Sequence, residues 1–301
     1  MAQKTALERM NTYNNKCTIL GVKEFEFKYD EIKEEVQLTK IYMPEDESEW
    51  VVNIPEFVSC VKTYVWSDLI WNENRFLSNG RRKCCHLYIP KGCRITDEFN
   101  ELFEQEDFVI CVKEIVVDKD HELYSSENGV LFNKDKTVLL AYPYAKEDES
   151  YTVPDSVIQI EEGAFYKNDY LKKLYLSSNI LDIKECKFGC WVEIAVDANN
   201  TSYTSIDGSL YSKNGKILYH LLAFGSGKIK IAEGTIIIKN NESLVGDFDE
   251  LYLPDSVKPL EGLYNLVTNF LNGDGVLVAP KSLKEYIEGC EIIVSNEIIY
   301  Y

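Results

Sequence analysis

One alternation of apolar and polar positions recurs along this chain: apolar-x-apolar-Pro-x-x-apolar-x-x-apolar. It reads YTVPDSVIQIEEGAF at 151–165 and returns as LYLSSNILDIKECKF at 174–188, offset by 23, with Val153 on Leu176, Val157 on Ile180, Ile160 on Ile183 and Phe165 on Phe188. VNIPEFVSCVKTYVW (52–66), LYIPKGCRI (87–95), IKIAEGTII (229–237), LYLPDSVKPL (251–260) and LVAPKSL (277–283) hold the same register, with Ala232 in place of Pro in the third. Alternation over three residues predicts a short strand with two inward side chains and one outward. A proline or small residue next ends the strand, because Pro brings no N–H to a ladder. The later apolar positions turn the chain back over the core, and Phe165 or Phe188 plugs the far side. One such unit cannot bury its own apolar face, so copies must stack.

A longer period overlies the short one. VDKDHELYSSENGVLFNKDKTVL (117–139) and VDANNTSYTSIDGSLYSKNGKIL (196–218) lie 79 positions apart and share 8 of 23 residues without a gap. SIDG places Gly208 near a turn, and Asn214-Gly215 in SKNGK is a strong short-range hairpin signal. The chain is therefore expected to enter the common sheet at 115–117 and 194–196 and then to form a hairpin instead of the usual return.

The phrase at 151–183 resembles the BspA-like leucine-rich repeat of bacterial proteins, and residues 196–218 resemble that family's hairpin insertion through Asn200, Tyr203, Ser205, Asp207, Gly208, Leu210, Tyr211, Lys213, Gly215 and Leu218. The copy at 117–139 departs at His121, Glu122 and Lys136. The resemblance implies a β-rich repeat solenoid of the α/β leucine-rich-repeat class, with a curved parallel sheet on one face and short helices, turns and β-hairpins on the other. It also implies recognition of proteins or peptides without catalysis.

At the N-terminal end, KEFEFKYDE and EEVQLTKIYM alternate around an acidic turn. The expected organisation is a cap over 1–50, a short helix at 4–12 plus this hairpin, followed by a solenoid over 51–301. Elongated hairpin repeats fall near 115–143 and 194–222, and LKEYIEGCEIIVSNEIIYY supplies a last helical turn and closing strands.

Composition narrows the partners. With 50 Asp and Glu against 32 Lys and Arg, the net charge is -18, which argues against nucleic acid and against an anionic membrane surface. A basic protein partner stays open. DEFNELFEQEDF (97–108) has its apolar residues at helical spacing and reads as a return helix with an acidic, solvated face. The start, MAQKTALERMNTYNNK, holds no apolar segment of signal-peptide length, and no run approaches the ~18 apolar residues of a membrane span. With 9 cysteines at irregular spacing, this predicts a cytoplasmic protein with reduced thiols, secreted if a signal was removed.

Phosphate-cradling, serine-hydrolase and zincin motifs are absent from the sequence, and no cofactor is expected. The rival to a binding module is a thiol-dependent enzyme built on RRKCCH (81–86), with Cys85 or Cys84 activated by basic neighbours and His86. Against it, the alternation in CHLYIP makes Cys85 a core residue. Cys186 and Cys190 are spaced four apart with no second pair, a weak zinc signal. A surface or secreted adhesin is a further alternative.

The remaining candidate is the sheet. The middle residue of each strand faces away from the core, and stacked strands set these ~4.8 Å apart. This outward column reads Asn53, Tyr88, Val116, Thr152, Tyr175, Ala195, Lys230, Tyr252, Val278 and Ile293, with a second column two residues before. Asn53, Tyr88, Thr152, Tyr175, Lys230 and Tyr252 are its candidate binding residues, the tyrosines because they are typical of hot spots. Strand propensity alone also favours Tyr there.

Overall fold

The structure is a computed structural model that describes residues 5–20, 24–42, 49–61, 84–95, 112–165, 168, 170–183, 186–239, 245–271, 273–290 and 297–301. The acidic stretch at 97–108, the basic residues 81–83 and Ile293 lie outside them. The chain forms two compact units, one of residues 1–147 and 160–170, the other of residues 148–159 and 171–301.

The first unit opens with α1 (Ala6–Leu20), longer than the helix expected at 4–12. A reciprocal cap starts it: the Thr5 N–H donates to Glu8 Oε2 at 2.8 Å and the Glu8 N–H donates to Thr5 Oγ1 at 3.2 Å. Next come β1 (Phe25–Asp30), β2 (Glu35–Ile41), β3 (Glu49–Asn53), β4 (Cys60–Val61), β5 (Cys84–Ile89), β6 (Arg94–Ile95), β7 (Val112–Val117), β8 (Tyr124–Glu127), β9 (Val130–Asn133) and β10 (Val138–Ala141). β1 and β2 form the antiparallel hairpin, and β2 continues in parallel to β4 and β6. β3, β5 and β7 make a separate parallel ladder, in which Val52, Leu87 and Ile115 stand in register and are buried to 1% exposure or less. β8, β9 and β10 are antiparallel.

The second unit holds β11 (Ser150–Thr152), and the two-residue strand β12 (Gln159–Ile160) marks where the chain re-enters the first unit. There follow β13 (Lys173–Leu176), β14 (Glu193–Val196), β15 (Tyr203–Ile206), β16 (Ser209–Ser212), β17 (Ile217–His220), β18 (Phe224–Lys230), β19 (Ile237–Ile238), β20 (Val245–Tyr252), α2 (Glu261–Leu271), β21 (Val276–Ala279), α3 (Lys284–Glu288) and β22 (Ile298–Tyr300). Two parallel ladders, β11-β13-β14 and β18-β20-β21-β22, alternate with the sheet β15-β16-β17-β19.

The strand-ending residue works alike in every repeat. The carbonyls of Pro55, Pro90, Pro154, Pro254 and Pro280 accept from the N–H three residues on, at 2.9 to 3.2 Å, and Ser177 and Ala232 do the same at 3.4 and 3.2 Å. The turn thus needs a carbonyl and a residue that leaves the ladder, which Pro guarantees and Ser or Ala permits. Beyond it, Val58, Cys93, Val157, Ile180, Thr235, Val257 and Leu283 are buried.

One continuous sheet was the expectation, and these strands fall instead into three separate parallel ladders, β3-β5-β7, β11-β13-β14 and β18-β20-β21-β22. The hairpins are the physical reason. The Ile115 N–H donates to Gly129 O at 2.9 Å and the Val117 N–H to Ser126 Oγ at 2.9 Å; 79 residues on, the Ile194 N–H donates to Gly208 O at 2.8 Å and the Val196 N–H to Ser205 Oγ at 3.2 Å. Each insertion folds onto the strand it follows and takes up those donors, so a ladder stops after β7 and after β14. The turns also differ from expectation. The two-residue turns with both φ positive are Asn128-Gly129 and Asp207-Gly208, the type I′ pattern. Asn214-Gly215 sits in a longer turn where Gly215 has positive φ, and Lys136 holds the matching place at φ 55°. Phe165 is buried at 2% and stacks on Tyr142 at 5.3 Å, whereas Phe188 is half-buried, edge-on to His220 at 5.5 Å.

Candidate functional site

Strand alternation places 84, 86 and 88 on one side of β5 and 85, 87 and 89 on the other. That separates the pair a thiol enzyme would need. Cys85 is fully buried in the core, while His86 stands on the outward side between two carboxylates, Nδ1 3.0 Å from Glu114 Oε2 and Nε2 3.5 Å from Glu49 Oε2. Cys84 shares the face of His86 but packs against Tyr144 and Ala145. The eight described cysteines are thiols, six of them buried. Burial pushes the Cys93 and Cys290 thiols up, away from the reactive thiolate. Cys186 and Cys190 are both 5% exposed, and no metal-binding group of three His, Cys, Asp or Glu occurs among the described residues.

The outward column assembles by register inside each ladder. In the first unit Asn53 pairs with Tyr88 and Tyr88 with Val116. In the second, Thr152 pairs with Tyr175 and Tyr175 with Ala195; Lys230 pairs with Tyr252, Tyr252 with Val278 and Val278 with Ile299. Ile299 thus ends the column, a place given in the sequence reading to Ile293. Each tyrosine lies on an inner strand of its ladder, β5, β13 or β20. Tyr175 and Val116 are each 41% exposed, Ile299 45% and Val51, in the neighbouring column, 59%.

The three rings are held differently. The Tyr88 hydroxyl donates to Asp118 Oδ2 at 2.9 Å, and that bond, with some burial, raises its pKa. Asp118 is held low first by the Asp120 N–H and then by Tyr88. Tyr175 carries the Lys173 ammonium 5.5 Å from its ring centre. Tyr252 has Lys230 at 4.9 Å and a stacked Tyr301 at 5.3 Å and 8°, with the Tyr301 hydroxyl donating to Leu253 O at 2.8 Å.

The second column is charged and self-paired. Val51, His86 and Glu114 stand in register, as do Ser150, Lys173 and Glu193, and Lys228, Glu250 and Val276. Lys173 meets Glu193 at 2.6 Å and Lys228 meets Glu250 at 2.7 Å. A bulge at Lys113, where the β5–β7 register shifts, sends its ammonium to Glu49 at 2.7 Å and Glu147 at 3.3 Å. That ammonium is the main reason the Glu49 carboxyl lies below its usual range. The charge pairing went unread because it needs the cross-strand register, which only the ladders supply.

Strand-turn units stacked in parallel ladders, each strand burying alternate residues, define a β-rich repeat solenoid. Solved structures of bacterial proteins are similar to this chain. They include the pneumococcal vaccine antigen PcpA, 18% identical over 84% of this chain and 67% of its own, with a TM-score of 0.41. A leucine-rich cell surface protein from Faecalibacterium prausnitzii is 16% identical over 85% of this chain and 60% of its own, at 0.35. A leucine-rich repeat protein from Eubacterium ventriosum is 14% identical over 92% and 83%, at 0.27. No family model and no curated protein matches the chain. Among the described residues no helix is long and apolar enough to cross a membrane.

Proposed function

We propose that this chain is a non-enzymatic protein-interaction module that takes a protein or peptide partner on the outward face of its parallel ladders. The observation that carries the reading is the placement of Tyr88, Tyr175 and Tyr252, each on an inner strand, outward-facing and flanked in register. Tyrosine gives large contact area at low entropic cost, and such rings dominate interface energies. The thiols, six of the eight described being buried, suit a reducing compartment and so a cytoplasmic role; an adhesin outside the cell is the second reading, favoured by the cell-surface description of one structural neighbour.

The test compares two surfaces of the second unit. The Tyr175→Ala/Tyr252→Ala pair is expected to weaken partner binding by at least about 2 kcal/mol, the hot-spot threshold. Ile158→Ala/Leu181→Ala, which trims residues 44% and 56% exposed on the return segments, should leave it unchanged. Dissociation constants measured for both variants decide it, and the reverse pattern would place recognition on the return side.

A further inference from the structure

We infer that the partner of the second unit's sheet face is an uncharged polypeptide segment presenting aliphatic and aromatic side chains, a claim that rests on the sheet-face reading above. The net charge of -18 would suggest a basic partner. The face itself does not carry that excess. Its two outward columns in this unit hold Lys173, Lys228 and Lys230 against Glu193, Glu250 and, two residues before Ile299, Glu297. Five of the six have partners within the protein: Lys173 with Glu193, Lys228 with Glu250, and Lys230 with Glu233 at 3.6 Å. Two of the ammoniums also lie over the tyrosine rings, Lys173 over Tyr175 and Lys230 over Tyr252.

A charged ligand group would have to compete with these pairs, and docking over the face would desolvate the charge it displaced. What the face offers without such a cost is the neutral column: Thr152, Tyr175 and Ala195 in one ladder, Tyr252, Val278 and Ile299 in the other. Ile299 and Tyr175, 45% and 41% exposed, are the large apolar surfaces left open there. Charge complementarity therefore selects an uncharged segment, whose aliphatic and aromatic side chains gain by covering that column while the Lys–Glu pairs exclude charged competitors.

The experiment is a selection of peptides from a phage-displayed random decapeptide library on the full chain. Affinities of the enriched peptides are then measured by fluorescence anisotropy at about 50 and about 500 mM NaCl, a range over which exposed charge–charge attraction is largely screened. The expected peptides are poor in Lys, Arg, Asp and Glu. Their affinity should change less than about twofold with salt, fall at least about 30-fold in Tyr175→Ala/Tyr252→Ala, and stay within about twofold in Ile158→Ala/Leu181→Ala on the return segments. Coincident thermal melts of the Tyr variant and the parent guard against a loss of binding caused by poor folding. Basic, salt-sensitive peptides that still require the two tyrosines would overturn the uncharged-partner inference and leave the face standing. Peptides indifferent to the tyrosines, or no enrichment at all, would overturn both.

Discussion

His121 and Asn200 do the same job with different chemistry. Asn200 accepts from the N–H groups of Ser202 and Tyr203 at 2.9 and 2.7 Å through Oδ1 and donates through Nδ2 to the carbonyls of Ser177 and Ile180. In the earlier copy, His121 Nδ1 accepts from Leu123 and Tyr124 at 3.1 Å each and Nε2 donates to Cys93 O at 2.9 Å. Those partners require the proton on Nε2, so the imidazole acts as a stiff carboxamide. Both side chains are at most 2% exposed, and truncation would strand buried backbone groups. His121→Asn is expected to change stability by less than about 1 kcal/mol and His121→Ala to cost about 2 to 3 kcal/mol, read by denaturant melts. His220 is a different case. It is buried and donates from Nε2 to Val192 O at 2.8 Å, and burial, outweighing that bond, lowers its pKa from 6.5 to about 4. Between those values the unfolded chain binds a proton that the folded one refuses. Stability is therefore complete above pH 6.5 and falls as pH drops towards 4. Denaturant melts should show His220→Gln losing about 2 kcal/mol less than the parent between pH 6.5 and 5, and parallel slopes would refute the assignment.

At the scale of elements, the doubled 23-residue phrase is a cassette that ends a ladder. Its glycine has two duties at once. Gly208 needs φ of +76°, and a Cβ there would stand 2.6 Å from Leu222 Cδ2 and 3.0 Å from Glu193 Cγ; Gly129, at +78°, would meet Glu114 Cγ at 2.8 Å. Gly215, in the same hairpin at +71°, has nothing within 4 Å. Gly215→Ala should then show the conformational cost alone, about 1 kcal/mol, and Gly208→Ala distinctly more, about 2 to 3 kcal/mol, in thermal melts. Equal shifts would mean that the turn does not dock on β14. The ladders, the hairpins and the outward column were legible because strands announce themselves by alternation and turns by Pro, Gly and Asn. The breaks between ladders were not, since they depend on which N–H a serine hydroxyl or turn carbonyl reaches. The helix α2 also escaped the repeat phrase, although Leu263, Leu266, Val267, Phe270 and Leu271 follow helical spacing and are buried. Its Gly262 lies so near the Ile238 carbonyl that a Cβ would be 2.0 Å from the oxygen, which only glycine allows.

For the whole molecule, the outward face is where repetition stops serving only the core. Most inward strand positions among the described residues are interchangeable aliphatics such as Val52, Leu87, Ile115, Leu174, Ile194, Leu251 and Leu277, all at most 1% exposed, with Tyr151 standing in register with Leu174. The outward positions vary from strand to strand, from Asn53 to Tyr175 to Ile299, as the proposed recognition surface requires. The sequence alone does not assign these rings to recognition, because a tyrosine on a strand satisfies β-propensity and a binding role equally well. The most direct measurement replaces single residues by a photo-crosslinking benzoylphenylalanine and irradiates the protein in its native host. From position 175 one discrete adduct is expected, and none from position 181 on the return side or from the exposed turn residue Lys216. An adduct from position 181 with none from position 175 would contradict the sheet-face account.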